Sequence, residues 1–310
     1  MHDTDGSELT LTDAEFRLFR DFFHGTCGLH FDADSRFLLE KRLLRRMGEL
    51  GLESFSAYHY LLRSDPADDE LAAVIDELTT NETYFFREYG QLRALVDEIL
   101  PEILESRRTA GGTLVSIWSA GCSGGEEPYS VVMMAREAGL QPGRDLRVYA
   151  SDISRTMLQK ARRGVYRSSS FRETDPLLQK RYFEEFEGSW RISEEVKRHV
   201  VFTHLNLLDQ ARMDLLGTMD VILCRNVIIY FDMKTRRRVI EAFRDKLRPG
   251  GHLLLGHSES LINLSNSFQL RHLRNDLVYR KPVPGAEETD SWQQAAIAAI
   301  DHSDAGKGSQ

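Results

Sequence analysis

An apolar segment that runs into a glycine-rich loop constrains the fold of this chain more than any other feature. Residues 114–118 are Leu-Val-Ser-Ile-Trp, and residues 119–130 are Ser-Ala-Gly-Cys-Ser-Gly-Gly-Glu-Glu-Pro-Tyr-Ser. Glycine lets a backbone turn sharply and approach a ligand closely, as at the first strand-to-helix crossover of a doubly wound sheet. Pro128 suits the first turn of a helix. The segment therefore predicts a strand, a ligand-binding turn and a helix.

The charge of this loop argues against a phosphate ligand. A dinucleotide site holds pyrophosphate at the helix N-terminus, where this chain has Glu126 and Glu127. Like charges about 4 Å apart repel by roughly 4 kcal/mol at an effective dielectric constant near 20, which disfavours a pyrophosphate and with it a dehydrogenase. A ligand with an adenosine and a positive charge is not repelled. S-adenosylmethionine, with its sulfonium and ammonium groups, is the common cofactor that meets this description.

A second strand supports a nucleotide-like site, because the G-x-x-G-G spacing alone departs from the dinucleotide fingerprint. Residues 147–150 are Arg-Val-Tyr-Ala, a mainly apolar strand that ends at Ser151-Asp152. An acid at the tip of the second strand is placed to accept hydrogen bonds from ribose hydroxyls, so Asp152 is the candidate ribose ligand. The alternative is that Asp152 caps the helix that starts near Ser154.

Strands and helices alternate beyond the loop. Strands are expected at 114–118, 147–150, 199–202, 219–223 and 252–255, and helices from 128, from 154 and at 233–247. Such βαβ units build a mainly parallel sheet in the α/β class. Between about 165 and 200, aromatic residues lie among polar ones around a Gly188-Ser189 turn, which predicts a small β-rich insertion.

The first part of the chain is expected to be helical from residue 9 to about 80. Thr12 to Glu15 form a capping box, and phenylalanines recur at helical spacing from Phe16 to Phe23. A charged helical connector at 89–108, interrupted at Pro101, leads to the sheet. We expect an α-helical domain over 1–85, an α/β domain over 86–283 and a disordered tail over 284–310.

A basic run lies within the helical part. From Arg36 to Arg46 there are five basic residues and one acid, in a chain whose net charge is −8. An apolar stripe faces the other way and consists of Leu39, Leu43, Met47 and Leu50. The run is either a solvated helix face or a docking surface for an acidic protein.

Composition excludes several classes of protein. Of 310 residues, 41% are hydrophobic and 28% charged, which is typical of a soluble globular protein. No apolar run approaches the ~18 residues that span a bilayer and no signal peptide is visible, so a cytoplasmic location without membrane insertion is expected. Three widely spaced cysteines predict neither disulfides nor a metal site. The negative net charge disfavours nucleic acid as a partner.

Three further segments are expected beside the glycine loop, because ligands bind beyond the carboxyl ends of the strands in an open α/β sheet. They are residues 78–88 (Leu-Thr-Thr-Asn-Glu-Thr-Tyr-Phe-Phe-Arg-Glu), 206–208 (Asn-Leu-Leu) and 220–232 (Asp-Val-Ile-Leu-Cys-Arg-Asn-Val-Ile-Ile-Tyr-Phe-Asp). Asp152, Asn206, Arg225 and Asn226 are expected to gather at this edge.

Together these segments closely resemble the CheR family, the chemotaxis receptor methyltransferases that use S-adenosylmethionine to methylate protein glutamates. The resemblance runs from about Leu9 to Lys281 and includes Ala-Ser-Asp-Ile at 150–153 and Gly-His-Ser-Glu-Ser at 256–260. It implies a Rossmann-like methyltransferase domain with a small inserted β-subdomain, preceded by an all-α N-terminal domain. One departure is Gly124, where the family often has threonine, which removes a hydroxyl but should leave the turn intact.

The resemblance implies which residues bind the cofactor: Asn81, Thr83, Arg87, Glu127, Asp152, Asn206, Leu207, Arg225 and Asn226, to which we add Gly121 of the loop. Arg87 is the candidate for orienting the substrate carboxylate, since a guanidinium matches a carboxylate in bidentate geometry. Tyr230 either presents its hydroxyl or ring face to the methyl group or packs as an aromatic beside Phe231. Glu127 either receives the cofactor's ammonium group or a ribose hydroxyl, or is an N-terminal helix acid.

The resemblance also implies the partner. Glutamate, with an unperturbed pKa near 4.3, is an anionic nucleophile at neutral pH and needs no general base. The acceptor would be the cytoplasmic helices of methyl-accepting chemotaxis receptors, and S-adenosylhomocysteine the second product. Some members bind a tethering peptide from the receptor's C-terminus on the β-subdomain. We expect a monomer, with receptor docking residues Lys41, Arg42, Arg45 and Arg46.

One alternative function and two structural interpretations complete the sequence analysis. A noncatalytic cofactor-binding adaptor is a different class of function, against which the presence of Arg87 and Tyr230 argues. His257 is interpreted as a structural histidine. A second basic run is interpreted as a helix surface and comprises Lys234, Arg236, Arg237 and Arg238.

Overall fold

Four helices form the first part of the protein. The structure is a computed structural model that describes residues 9–64, 69–109 and 111–285, so most of the expected disordered tail lies outside the described residues. The helices are α1 (Asp13–Cys27), α2 (Arg36–Leu50), α3 (Phe55–Ser64) and α4 (Asp69–Leu78). The capping box at Thr12 is present, and phenylalanines of α1 pack with leucines of α2 in one apolar core. Leu50 is exposed rather than buried, because α2 ends there and Gly51 turns the chain in the left-handed conformation.

A continuous helical connector joins these helices to the sheet. It consists of α5 (Tyr89–Ala94), a π-helical turn (Leu95–Ile99) and α6 (Leu100–Thr109). The expected interruption at Pro101 does not occur, since the helix continues through it. Pro101 is the second residue after the π-helical turn, a local widening that is common where the regular helical hydrogen bonding is broken.

Seven strands form the main sheet. Along the chain the elements are β1 (Val115–Ala120), α7 (Glu126–Glu137), β2 (Leu146–Asp152), α8 (Arg155–Arg163), β3 (Val165–Tyr166), α9 (Pro176–Tyr182), β4 (Phe183–Phe186), β5 (Ser189–Ile192), α10 (Glu194–Lys197), β6 (Val200–His204), α11 (Gln210–Asp214), β7 (Met219–Cys224), α12 (Met233–Lys246), β8 (Leu247–Leu255), β9 (Gln269–His272) and β10 (Leu277–Arg280). The strand order is β6-β2-β1-β7-β8-β10-β9. All pairings from β6 to β8 are parallel, and β10 and β9 are antiparallel, which confirms the mainly parallel α/β sheet.

Strand β1 pairs with β2 on one side and with β7, which comes much later in the chain, on the other side. This reversal of the strand order makes the β1–β7 boundary the switch point at which α/β sheets bind ligands. The predicted β-rich insertion is also present, since β3, β5 and β4 form a separate antiparallel sheet. Its hairpin turns at Glu187 and Gly188, both with positive φ, one residue earlier than expected.

The helical part and the sheet share a boundary at the switch point. Ile153 and Tyr230, which follow β2 and β7, pack against the apolar core of α1 to α4. Within the described residues, no helix has the length and apolar character needed to cross a membrane.

Candidate functional site

One pocket opens at the carboxyl ends of β1, β2, β6 and β7. Its volume is about 1060 Å³, counted with the solvent at its mouth. It brings together all the residues predicted for cofactor binding or catalysis: Asn81, Thr83, Arg87, Gly121, Glu127, Asp152, Asn206, Leu207, Arg225, Asn226 and Tyr230. We call residues 121–125 with Asp152 the β1 wall, and residues 225–231 with Glu259 the β7 wall. Ligand contacts by these residues remain predictions.

The glycines of the β1 wall allow close approach between segments of the protein itself. Gly121 has φ +81°, and a Cβ atom there would lie 2.4 Å from a methyl carbon of Val227 in the β7 wall. Gly125 has φ +87°, and its Cβ would lie 2.9 Å from that of Ala161. The N–H of Gly121 donates to the Ser151 carbonyl at 2.8 Å. Glycine at these two positions therefore lets the loop rest directly on α8 and on the opposite wall.

Asp152 joins the glycine loop to the end of β2. One carboxylate oxygen accepts the N–H of Ser123 at 2.7 Å, and the other accepts the N–H of Ser154 at 2.8 Å. Ser154, not Asp152, is the N-cap of α8, since its hydroxyl accepts the N–H of Met157. Burial raises the pKa of Asp152 to about 6, although both N–H bonds lower it. The carboxylate therefore borders the pocket with lone pairs still available for a hydroxyl donor.

The expectation that both acids of the loop face the ligand is wrong for Glu126. Its side chain is fully buried, accepts the Lys160 ammonium at 2.7 Å and the Ser170 hydroxyl at 3.2 Å, and does not line the pocket. Lys160 compensates this charge, so Glu126 cannot repel a phosphate as expected. The acids that line the site near the cofactor loop are Glu127 and Asp152.

The glycine at position 124 leaves room for this ion pair. A Cβ on Gly124 would lie 2.6 Å from Glu126 Oε2 and 2.8 Å from Lys160 Nζ. A threonine, which is expected in the family, would have to displace the end of the Lys160 side chain. The departure therefore changes the packing behind the loop, away from the pocket.

A buried arginine connects the two walls. The Arg225 guanidinium donates to Glu127 at 3.1 Å, to Glu88 at 3.0 Å and to the carbonyl of Arg87 at 2.6 Å. The second oxygen of Glu127 accepts the Ser119 hydroxyl at 2.7 Å. Glu88 and Ser119 were not identified from the sequence, because each acts on a predicted residue rather than lining the pocket itself. These bonds use three of the five guanidinium N–H donors, and the buried Nε has no partner among the described residues.

Glu259 holds the β7 wall in place and was also missed. Its carboxylate accepts four backbone N–H groups, from Asn226 (2.7 Å), Val227 (2.9 Å), Ile229 (3.2 Å) and Gly256 (2.8 Å). Burial raises the pKa of Glu259, and these N–H bonds act against that shift. Glu259 belongs to the Gly-His-Ser-Glu-Ser segment that carries the family resemblance. His257 of the same segment is exposed and contacts Asp276 at 2.9 Å.

The helical part closes a third side of the pocket. The Asn206 amide donates to the Thr26 carbonyl at 2.7 Å, and the oxygen of the same amide accepts the N–H of Leu208 at 3.0 Å. The N–H of His30 donates to the Tyr230 carbonyl at 2.9 Å. Asn206 thus fastens the end of α1 to the sheet, and any cofactor contact by its side chain has to use the remaining amide hydrogen.

Tyr230 lies between the helical core and the pocket, and its expected role toward the methyl group remains a prediction. Its half-buried ring packs against the helical core and also lines the pocket. No partner for its hydroxyl occurs within the described ranges. Arg87 lies at the same pocket, where it donates to the Glu82 carbonyl at 3.0 Å and its guanidinium is 5.7 Å from the centre of the Tyr84 ring.

The predicted docking residues of α2 differ in their availability. Lys41 and Arg45 are exposed, but Arg45 pairs with Glu77 at 3.2 Å. Arg42 donates to the Leu78 carbonyl. Arg46 is held by Glu70 and Glu49 in a partly buried network.

The pocket fits S-adenosylmethionine by the chemistry of its donors. Asp152 and Glu127 supply carboxylate oxygens that can accept hydrogen bonds from ribose hydroxyls or an ammonium group. The unpartnered Nε of Arg225 supplies a donor for a carboxylate. Apolar side chains, among them Ile153 and Leu207, line the space between these groups.

Two family models and several relatives match this chain. The family described as CheR methyltransferase, all-alpha domain, matches residues 14–79, and CheR methyltransferase, SAM binding domain, matches residues 81–276. Chemotaxis protein methyltransferase 2 of Vibrio cholerae serotype O1 is 40% identical over 287 residues, which are 92% of this chain and 99% of that protein. Chemotaxis protein methyltransferase of Escherichia coli K12 is 39% identical over 268 residues, 85% of this chain and 90% of that protein.

Solved structures of methyltransferases align with this chain at low sequence identity. Magnesium protoporphyrin IX methyltransferase from Synechocystis PCC 6803, with bound S-adenosylmethionine, aligns over 86% of this chain and 95% of that chain at 15% identity and a TM-score of 0.31. The family matches and the relatives carry the assignment, because they extend over both the helical part and the sheet. The chain therefore belongs to the CheR family of S-adenosylmethionine-dependent methyltransferases.

Proposed function

We propose that this protein transfers the methyl group of S-adenosylmethionine to glutamate side chains of methyl-accepting chemotaxis receptors. The products are glutamate methyl esters, which serve sensory adaptation, and S-adenosylhomocysteine. Relatives named chemotaxis protein methyltransferases support the chemotaxis assignment. The choice of a carboxylate acceptor is supported by the chemistry of the pocket.

The observation that carries this proposal is a pocket with two arginines in which every lining carboxylate of the described residues already has a partner, Glu82 pairing with Arg172 at 2.8 Å. Among the described lining residues there is no histidine or lysine. Both oxygens of Glu127 and of Asp152 already accept hydrogen bonds. Burial raises the pKa of the Cys27 thiol to about 12. An alcohol or amine acceptor needs a base, whereas a glutamate is already ionised at neutral pH.

The residues of this chain then orient two reactants and exclude water. S-adenosylmethionine, when bound, supplies a methyl group on a sulfonium, which a carboxylate oxygen takes by in-line displacement without any proton transfer. Arg87 binds the substrate carboxylate through its guanidinium. Tyr230 borders the same space and offers a hydroxyl donor or a ring face. Alignment and loss of water lower the barrier by several kcal/mol in such reactions.

The receptor side of the proposal has two parts. One is docking of the cytoplasmic receptor helices, for which the sequence predicts α2, where Lys41 is exposed and has no carboxylate partner within the described residues. The small sheet of β3, β5 and β4 is the place where a tethering peptide would bind. The protein acts as a monomer in both contacts.

Methyl transfer from labelled cofactor tests the proposal directly. The purified full-length protein is incubated with methyl-labelled S-adenosylmethionine and receptor-containing membranes. We expect label in receptor protein that is released as methanol in mild base. Label that survives base excludes a carboxyl ester, and cofactor binding without transfer to any receptor indicates the adaptor function instead.

A further inference from the structure

Four cations at the start of α12 have no carboxylate partner in the described part of the chain. Arg236, Arg237 and Arg238 donate only to backbone carbonyls, and Lys234 is exposed without a polar contact. No ion pair within 4.0 Å includes any of the four, although Glu241 lies on the same helix. Their charge is therefore available to a partner.

The basic run of α2 is different. Arg36 pairs with Asp13, Arg45 with Glu77 and Glu49, and Arg46 with Glu70 and Glu49. The run that the sequence suggested for docking is thus largely neutralised within the protein. The second basic run, residues 234–238, which was interpreted as a helix surface, is not neutralised by carboxylates of the described residues.

The carbonyls that hold the α12 arginines place this helix at the rim of the pocket. Arg238 donates to Leu208, directly after the pocket-lining Leu207, at 2.8 Å. Arg236 donates at 2.8 Å to Phe231, next to Tyr230. Arg237 donates at 3.0 Å to Asn263, in the segment after β8. The cations therefore adjoin three loops at the carboxyl edge of the sheet.

Exposed apolar side chains accompany these cations. Ile229 is 38% exposed, Met233 48% and Ile262 78%. Ile229 precedes Tyr230, and Ile262 precedes the residue that Arg237 contacts. Ile229, Met233, Lys234, Arg237, Arg238 and Ile262 form what we call the rim patch.

We propose that the rim patch is a docking surface for the acidic, amphipathic receptor helix that carries the methylated glutamates. A row of unpaired cations with apolar residues beside it matches a helix that has acidic and apolar side chains. Docking there brings a glutamate to the edge of the pocket at Tyr230, and unpaired surface cations speed the encounter with an acidic partner. This inference rests on the proposed function, since it concerns the substrate of the same site.

The test compares two triple variants of equal charge change. One is Lys234→Gln, Arg237→Gln, Arg238→Gln, and the control is Arg17→Gln, Arg163→Gln, Arg244→Gln, three arginines without ion pairs in the described residues. Each is assayed on a receptor cytoplasmic fragment that the wild-type protein methylates. Three exposed charge contacts together correspond to about a tenfold rise in KM for the fragment at low salt. We expect this rise only in the rim variant, with kcat and the Kd for cofactor within about twofold of wild type, and a weaker salt dependence.

Several outcomes would overturn the inference. One is the same KM for the receptor fragment in both triple variants. Another is a rise in KM with the double variant Lys41→Gln, Arg42→Gln but not with the rim variant, which would place docking on α2. Lys234→Gln alone, at a side chain without structural contacts, covers the case in which the triple variant folds poorly. It should raise KM about twofold, by one exposed charge contact. Failure of the proposed function is distinguishable, because the wild-type protein would then methylate no receptor fragment.

Discussion

The two walls of the pocket are held in different ways. The β1 wall is held by the left-handed conformations of Gly121 and Gly125 and by Asp152, which accepts one N–H of the loop, that of Ser123. The β7 wall depends on Glu259, 30 to 33 residues downstream, and on His30, far upstream. The β1 wall carries the predicted ribose ligand, and the β7 wall carries Tyr230 and the arginine that bonds to Arg87. We therefore expect damage to the β1 wall to act mainly on cofactor affinity, and damage to the β7 wall, which also contains the predicted cofactor ligands Arg225 and Asn226, to lower both turnover and affinity.

The largest effect is expected from Arg87→Ala. The variant lacks the guanidinium that is proposed to donate hydrogen bonds to the substrate carboxylate. Removing one donor to a reacting oxygen typically lowers kcat by roughly 10²- to 10³-fold, and we expect a fall of that size for receptor methylation. The Kd for cofactor should change less. Arg93→Ala, at an exposed arginine paired with Asp97 on α5, is the matched control and should keep wild-type turnover. Normal turnover in Arg87→Ala would remove this residue from the mechanism.

Glu259→Gln should have the next largest effect. The amide NH₂ would face backbone N–H donors that the carboxylate now accepts, so residues 226–229 should shift. A displacement near 1 Å costs up to about 10²-fold in rate, and we expect kcat to fall about tenfold or more, with a smaller rise in the cofactor Kd because Asn226 is a predicted cofactor ligand. Glu259→Asp, which keeps the charge, should restore part of kcat. Equal losses in kcat and cofactor affinity would show that Glu259 supports both walls.

Gly121→Ala tests whether the walls are independent. The left-handed conformation costs roughly 1–2 kcal/mol for a residue other than glycine, and the contact with Val227 adds an overpacking cost of about 1–3 kcal/mol. Urea unfolding should report the lower stability, and calorimetry a weaker cofactor affinity. Adding Val227→Ala should recover only the part of the free energy of unfolding that is lost to overpacking. The single variant Val227→Ala is the reference. If the double variant gains nothing, then the two walls are not coupled at this contact.

The smallest effect is expected from pH. Since burial raises the pKa of Asp152 to about 6, the carboxylate that would accept ribose is mostly protonated at pH 5.5 and ionised at pH 7.5. Simple titration then weakens cofactor affinity about fourfold between pH 7.5 and 5.5. Asp152→Asn should bind more weakly and remove this part of the pH dependence. A pH dependence unchanged in the variant would assign the titration to another group.

The sign of the stability effect separates this prediction from unfolding. The folded protein holds the Asp152 proton more tightly than the unfolded chain, whose carboxyl titrates near 3.8. The contribution of this group to stability is therefore fully present below about pH 4 and is lost as the pH rises through about 6. Weaker binding at pH 5.5 cannot be ascribed to acid unfolding through Asp152, and a melting temperature measured at both pH values checks this.

Much of the fold could be predicted because local patterns encode it. Strand positions, the capping box at Thr12 and the β-rich insertion depend on residues close together in the chain. The extent of β8 could not be predicted. Residues 248–251, with Pro249 and two glycines, lie between the helix expected to end at 247 and the strand expected to begin at 252. They extend the strand instead, and there the register with β7 shifts between Met219 and Val221.

The pocket could be predicted as a set of residues but not as a network. Strand ends of a parallel sheet converge, so the polar residues after β1, β2, β6 and β7 were expected to meet. The partners of Glu259 are backbone N–H groups, which leave no mark on the residue types of the β7 wall. The direction of Glu126 likewise depends on Lys160, 34 residues away. Long-range pairing of this kind decides which of two adjacent glutamates faces a ligand.

The bond from Asn206 to Thr26 has a consequence for protein engineering. Because the end of α1 closes one side of the pocket, the two family domains are not interchangeable parts. A chimera that takes residues 14–79 from a relative with another receptor would also import a piece of the cofactor site. Receptor choice and cofactor affinity would be inherited together, and reprogramming one requires repairing the seam at Asn206 and Tyr230.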